Sequence, residues 1–276
     1  MYLSKHKLFI LFFFLTLFSR GQNIPFENGA ANNGLGNSSL AMSNIWSINN
    51  NQAALSYLKN PEIAIYYTNR FLLKELSSQS IAYAHPTSFG TWAMAIDYFG
   101  YNQHSEFQIG LAYAKKFNEY ISLGARFNYL QYQQTAEYGN THTVLAELGI
   151  LSHPNENIFI GAHIYNPSMA KFDTNVPESA PTIMSIGLAY LIDDATKLLF
   201  QIDKNIRKNT TFKMGAELNL KKAIYLQAGI NILPNAFFIG LGYNYKNIRF
   251  NIAFSYQQML GVSPSSSFSY QFNSVN

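Results

Sequence analysis

Cysteine is absent from all 276 residues. That excludes disulfides, thiolate metal sites and lipid attachment at an exported cysteine. Charge is scarce as well: Asp, Glu, Lys and Arg make up 12% of the chain, about half the share of an ordinary globular domain. No stretch after the first 21 residues approaches the roughly 18 consecutive apolar residues of a membrane-spanning helix, so a polytopic helical membrane protein is excluded. No run of basic residues offers a groove for a polyanion, so nucleic acid is not an expected partner. Tryptophan occurs only twice, yet Phe and Tyr bring the aromatic content to 16%.

The first 21 residues read as a cleaved export signal. Lys5 and Lys7 form a basic start and Leu8 to Phe18 is an unbroken apolar run. Ser19 and Gly21 then place small residues before a cleavage site at Gln22. The apolar run is too short for a spanning helix, which argues against a membrane anchor. Lys5, Lys7 and Arg20 leave with this segment and no acid does, so 19 bases become 16 against 15 acids, a mature net of +1. The basic pI of the whole chain therefore carries no message about partners.

From about residue 61 to residue 276 the chain alternates with a period of two in segments of roughly ten residues, as strands with one apolar face do. The clearest runs from Ile121: Ile121, Leu123, Ala125, Phe127 and Tyr129 share one face, and Ser122, Gly124, Arg126 and Asn128 the other. Eight further segments repeat the pattern between Phe107 and Gln257. Weaker ones occupy Glu62–Thr68, Ser78–Ala84, Thr91–Phe99, Asn157–Tyr165 and Ser265–Phe272. The total is about 14, an even number as single-chain bacterial barrels require. A soluble β-sandwich also alternates, but its polar face meets bulk water and is rich in charge. Here that face is Gly, Ala, Ser, Asn and Gln with isolated charges, which suits a confined lumen. The expected fold is all-β: a transmembrane antiparallel β-barrel in the bacterial outer membrane, in contact with its lipid.

Short polar connections (Lys116–Tyr120, Pro154–Asn157, Lys221–Lys222, Pro234–Asn235, Lys246–Asn247) contrast with two long ones, Gln134–Thr141 and Asn166–Pro181. Short turns on one rim and long loops on the other is the outer-membrane asymmetry. The closing strand carries Phe268, Tyr270 and Phe272 on its apolar face, the expected signal for the barrel-assembly machinery. The lone lumen charges Arg126, Glu147, Lys213, Glu217 and Arg249 admit two readings, a paired network that fixes the interior or a ligand site; pairing is favoured because confined charges are costly alone.

Residues 22–60 do not alternate. They are rich in Asn, Gly, Ser and Ala, yet Leu35, Leu40, Ile45, Trp46, Ile48 and Leu55 give them more apolar content than a disordered leader carries. A plug inside the barrel is the expectation. No zinc-ligand spacing, nucleophile elbow or phosphate-binding loop occurs. The chain reads as non-enzymatic, without cofactor or metal.

The stretch Gly34 to Met42 and the stretch Asn44 to Leu55 resemble the start of PorV/PorQ-like outer-membrane proteins. Asn51, Ala53 and Leu55 match that family's second motif, with Gln52 in place of its Pro; Gly36 opens the first, where Asn37-Ser38 replaces Ala-Arg and Met42-Ser43 lacks the double Gly. Asn166-Pro167 and the closing Gly261 to Phe272 are similar too, so the resemblance spans nearly the whole mature chain. It implies a FadL-like barrel of 14 strands with an N-terminal plug, and a role in or beside the type IX secretion system of Bacteroidetes, with secretion-system or cargo proteins as partners. The alternative it leaves open is FadL-like transport of hydrophobic small molecules.

Overall fold

In hydrocarbon every main-chain N–H and C=O needs a partner within the protein, and a sheet meets that demand only when it closes on itself. The computed structural model describes residues 26–134, 140–172, 180–221 and 223–273. The export signal, the centres of both long loops and the last three residues lie outside the described residues.

Fourteen antiparallel strands form one closed barrel, as the alternation predicts. The first four are β1 (Glu62–Asn69), β2 (Ser77–Thr87), β3 (Gly90–Tyr101) and β4 (His104–Lys116). Then come β5 (Ile121–Gln134), β6 (Asn140–Asn155), β7 (Ile158–Tyr165), β8 (Ile183–Leu191) and β9 (Thr196–Asn205). The wall ends with β10 (Thr210–Leu220), β11 (Ile224–Ile232), β12 (Ala236–Tyr245), β13 (Ile248–Gln257) and β14 (Gly261–Gln271). Each strand pairs with its sequence neighbours, and β1 closes on β14 from Glu62 opposite Gln271 to Thr68 opposite Ser265.

The rim that carries both barrel ends also carries tight turns. In one, Asp193 Oδ1 accepts from the N–H groups of Ala195 (2.8 Å) and Thr196 (2.6 Å), an Asx turn. Those donors hold its carboxyl below the usual carboxylate range. The 70–76 connection and the described ends of the 166–182 connection sit on the opposite rim. Two expected turns fall elsewhere than the sequence suggested. Leu233 to Asn235 joins β11 to β12 on the long-loop rim, and His153-Pro154 belongs to β6, where the register against β7 shifts between Ser152 and Asn155. The proline cannot donate to the ladder, so the strand accommodates it at an irregularity.

The two faces separate as the period of two requires. Leu123 is 46% exposed and Phe127 64%, while Ser122 between two outward neighbours is 0% exposed. The outward set is the lipid-facing belt. Tyr67, Tyr83, Trp92, Tyr98, Tyr243 and Tyr270 lie on it toward strand ends, the girdle position of outer-membrane barrels.

The inward face is small, and residues 26–60 pack against it. This segment folds as α1 (Ala30–Gly34), α2 (Ser47–Asn50) and a 3-10 helix, Gln52–Tyr57, whose first turn is capped by Asn51 Oδ1 accepting from Ala53 N–H. Ile45, Trp46, Ile48 and Leu55 are buried against alanines of β1 to β4, among them Ala64, Ala82, Ala95 and Ala112. Large residues on one partner thus face small ones on the other, the condition for dense packing. At two inward positions only glycine allows the approach: a Cβ on Gly229 would lie 2.3 Å from Gly36 N, and one on Gly124 would lie 2.4 Å from Ala53 N.

Candidate functional site

Arg126 reaches the lumen because it falls on the even-numbered face of β5. It is 1% exposed. Its guanidinium lies between two carboxylates, 3.3 Å from Asp97 of β3 and 3.7 Å from Glu147 of β6, and donates to the Ile48 carbonyl at 3.2 Å. His163 of β7 completes the wall side, with Nε2 3.0 Å from Glu147 Oε2. The inner segment supplies the remaining donors. Asn28 and Asn49 donate to Asp97 at 2.6 and 3.2 Å, and Gln52 donates to Glu147 at 2.8 Å. Each carboxylate therefore joins wall to segment, which removes most of the cost of burying it.

The other sequence-derived charges lie apart from this cluster. Lys213 of β10 pairs with Asp203 of β9 at 2.8 Å and with Glu27 of the segment. Glu217, also on β10, pairs with Lys197 at 3.1 Å and accepts from Gln227 at 3.1 Å. Arg249 is half-buried near the short-turn rim and donates through Nε to Asn244 Oδ1 at 3.0 Å. The structure thus brings Arg126 and Glu147 together and keeps Lys213, Glu217 and Arg249 at separate stations. Asp97, His163 and Glu27 complete the network without having been singled out in the sequence. Asp97 was nonetheless legible: it continues the inward series Ala93, Ala95.

Phe268 and Tyr270 face outward on β14. Phe272 lies one residue past the end of that strand and not on it. Its N–H still donates to Pro61 O at 2.8 Å, and its ring meets Tyr270 edge-on at 5.1 Å.

Above the inner segment, toward the long-loop rim, lies a cavity of about 980 Å³. It is lined below by Asn33, Asn37, Asn49, Leu40 and Glu27 of the segment, with Gln201, Asp203, Lys213, Asn231 and Ser255 from the wall. Its mouth carries an apolar sector of Phe71, Leu233, Pro234 and Leu260, from three connections adjacent around the barrel. The neighbouring tips Leu72, Leu73 and Met259 are exposed and extend that sector. Arg207 and Lys208 stand at the mouth, both exposed. On the other side of the rim the start of the β7–β8 connection folds inward. Phe172 is buried against Tyr132, with ring centroids 4.7 Å apart, and Thr143 Oγ1 donates to Lys171 O at 2.9 Å. The cavity therefore occupies the β7 to β1 side of the lumen. Among the described residues no cluster of His, Asp or Glu has metal-binding geometry.

The barrel fold has counterparts among solved structures. The Pseudomonas putida toluene transporter TodX superposes with a TM-score of 0.67 at 12% identity, covering 89% of this chain and 99% of the other. The Ralstonia pickettii toluene transporter TbuX gives 0.65 at 11% identity, over 89% and 98% of the two chains. A Pseudomonas aeruginosa FadL homologue gives 0.66 at 10% identity, over 92% and 100%. At such identities the likeness is one of fold, that of FadL-type outer-membrane barrels, and the outer membrane is where this barrel belongs. No protein-family model and no curated protein matches the sequence.

Proposed function

We propose that this chain is a FadL-like outer-membrane channel for small hydrophobic or amphiphilic molecules, with residues 22–60 as its plug and the cavity beneath the long-loop rim as its receiving vestibule. The observation that carries the reading is the vestibule itself. At about 980 Å³ it lies within the range of small-molecule sites, about 300–1,000 Å³. Its apolar mouth sector lets a hydrophobic molecule leave water before it meets the floor. Below it, the salt-bridged inner segment separates the vestibule from the short-turn rim. The solved barrels named above as toluene transporters support passage over secretion. The PorV/PorQ-like role beside type IX secretion is the weaker reading, because no described surface favours it.

The test has two measurements on the mature chain in lipid bilayers. Uptake of a hydrophobic tracer such as toluene into proteoliposomes is expected to exceed that of protein-free vesicles. Ion conductance is expected to be negligible for the intact chain and to appear in a variant starting near Pro61. A large, steady conductance from the intact chain would make it an open porin, and tracer entry equal to that of empty vesicles would remove the channel reading.

A further inference from the structure

We infer that the vestibule exchanges its molecule directly with the outer leaflet, over a low sector of the rim between β11 and β2. A hydrophobic molecule dissolved in the lipid then reaches the cavity without re-entering water. The inference rests on the passage reading above and names the source of the passenger.

Strand length carries it. β3, β4, β5 and β6 run 12, 13, 14 and 16 residues, whereas the other ten strands run 8 to 11. All share the short-turn rim, so the difference falls on the opposite one. With a rise of about 3.3 Å per residue and a tilt of about 40°, the long group stands about 35 Å tall and the rest about 25 Å. The step is abrupt at β7: its last residue, Tyr165, pairs with Glu147, and β6 continues seven residues beyond, to Asn140. The tall strands also mark where lipid ends. Their outward face is apolar up to Tyr129 opposite Val144, then turns polar, with Gln131 opposite His142 and Gln133 opposite Asn140. Val144 lies three residues beyond Glu147, so β7 ends inside the lipid band. The apolar band of an outer-membrane barrel, about 25 Å, matches the low wall. Its rim therefore lies at the lipid boundary and not above it.

Where the tall wall turns polar, the low rim stays apolar. Leu72 and Leu73 of the β1–β2 connection, Leu233 of β11–β12, and Met259 and Leu260 of β13–β14 are all exposed. Phe71, Leu233, Pro234 and Leu260 line the cavity from the same three connections, so one apolar surface serves both sides of the rim. Phe71 and Leu72 hold consecutive left-handed backbone, with φ of 57° and 59°, which is unfavourable for residues other than glycine. It sets Phe71 against the cavity and Leu72 outside. Phe71 N–H donates to Ser263 Oγ at 2.9 Å and ties the connection to β14.

Charge does not bar the path. Lys213 is paired with both Glu27 and Asp203 at the base of the cavity, and His163 is bonded to Glu147. Arg207 and Lys208 belong to the β9–β10 connection, outside the low sector between β11 and β2. Arg70, within the sector, lies over the Phe99 ring at 5.3 Å from its centre. Lys74 and Glu75 are exposed beside it, free to extend their charged ends to water.

The chain has no cysteine, so a single introduced thiol takes a label at one place. In the full mature chain in lipid vesicles, a nitroxide is attached through Met259→Cys on the low rim, Gln133→Cys on the tall wall or Leu123→Cys on the lipid-facing wall. Its collisions with oxygen, which concentrates in lipid, are compared with those of a water-soluble nickel chelate. The label at 259 is expected to match that at 123, rich in oxygen and poor in chelate, while the label at 133 meets the chelate freely. A label at 259 as open to the chelate as that at 133 overturns the inference. The route is read by a bimane attached through Ser255→Cys, inside the cavity, with an alkyl nitroxide dissolved in the vesicle lipid as quencher. Leu233→Asp/Leu260→Asp is expected to cut that quenching about tenfold, equivalent to about 1.4 kcal/mol, and to leave a bimane at position 123 quenched as before. No quenching at position 255, or quenching indifferent to the two rim substitutions, overturns the route. Tracer uptake, measured separately as above, then decides whether passage itself stands. If the double variant does not assemble, the labels at 259, 133 and 123 still decide.

Discussion

Replacing Arg126 with methionine tests whether the buried cluster holds the inner segment in place. The substitution keeps the length and removes the charge. It deletes the 3.3 Å pair to Asp97, the 3.7 Å pair to Glu147 and the 3.2 Å bond to the Ile48 carbonyl. Two carboxylates then share a space closed to water without their guanidinium. Removing one partner of a buried ion pair costs about 3–5 kcal/mol. Asp97 keeps Asn28 and Asn49, and Glu147 keeps Gln52, Asn128 and His163, so the lower end applies. About 3 kcal/mol corresponds to roughly a hundredfold change in an equilibrium constant. That change falls on segment docking, because the wall is held by a continuous ladder that does not pass through Arg126's side chain. Trp46 reports it directly. It is 4% exposed and packs edge-on against Tyr66 at 5.8 Å, and the only other tryptophan, Trp92, faces lipid. In a Trp92→Phe background, acrylamide quenching of Trp46 is expected to rise sharply on Arg126→Met while the folded barrel keeps its gel mobility. Adding Glu147→Gln is expected to recover part of the protection by removing one orphaned charge. Unchanged quenching with an unchanged urea midpoint would refute the assignment of this cluster as the segment's anchor.

The remaining tests separate wall, contact surface and closure. Gly229→Ala drives a methyl into the main chain of Leu35 and Gly36; it is expected to weaken segment docking by about 1–3 kcal/mol, read by Trp46 quenching, with barrel assembly intact. Leu123→Arg puts a cation on the lipid face and should cost about 2–4 kcal/mol near the midplane in urea unfolding from vesicles. Ser122→Arg meets a fully buried site and should expel the inner segment and raise Trp46 quenching, which Leu123→Arg should not; the same quenching response from both would sink the face assignment. Deleting Asn273–Asn276 should leave insertion intact, whereas deleting Phe272 as well removes its bond to Pro61 and should impair assembly in a folding assay; equal insertion of both truncations rejects the closing aromatic as the assembly signal.

The wall was legible because lipid on one side and a crowded lumen on the other impose the same period on every strand. Even weakly patterned segments such as Glu62–Thr68 and Asn157–Tyr165 became β1 and β7, since a closed ladder leaves no place for an unpaired segment. Inward charges were legible by parity, but their partners were not. Arg126 and Glu147 face each other across β5 and β6, a register that hairpin length nearly fixes. The Lys213–Glu27 pair spans 186 positions, and nothing local in the sequence announces it. The cavity was illegible for a related reason: its floor and mouth come from the inner segment and from connections whose tips carry no periodicity.

The contact between segment and wall differs in kind from the wall. The ladder is repetitive and survives many substitutions, whereas docking rests on a few irreplaceable contacts: alanines beneath Trp46, glycines beneath the main chain at Gly36 and Ala53, and one guanidinium between two carboxylates. Much of that contact is also polar and incompletely paired. Asn44, Asn49 and Gln52 of the segment, and Gln227 of the wall, each bury an atom without a hydrogen-bond partner. Every such atom subtracts about 1–3 kcal/mol from what the apolar packing contributes. Docking is therefore far weaker than its buried area suggests, while the wall is held by a ladder continuous around the barrel. An agent that loosens the molecule, such as moderate urea, is accordingly expected to raise Trp46 quenching before it changes the β-sheet circular dichroism. Coincident transitions by the two probes would show that segment and wall unfold as one unit.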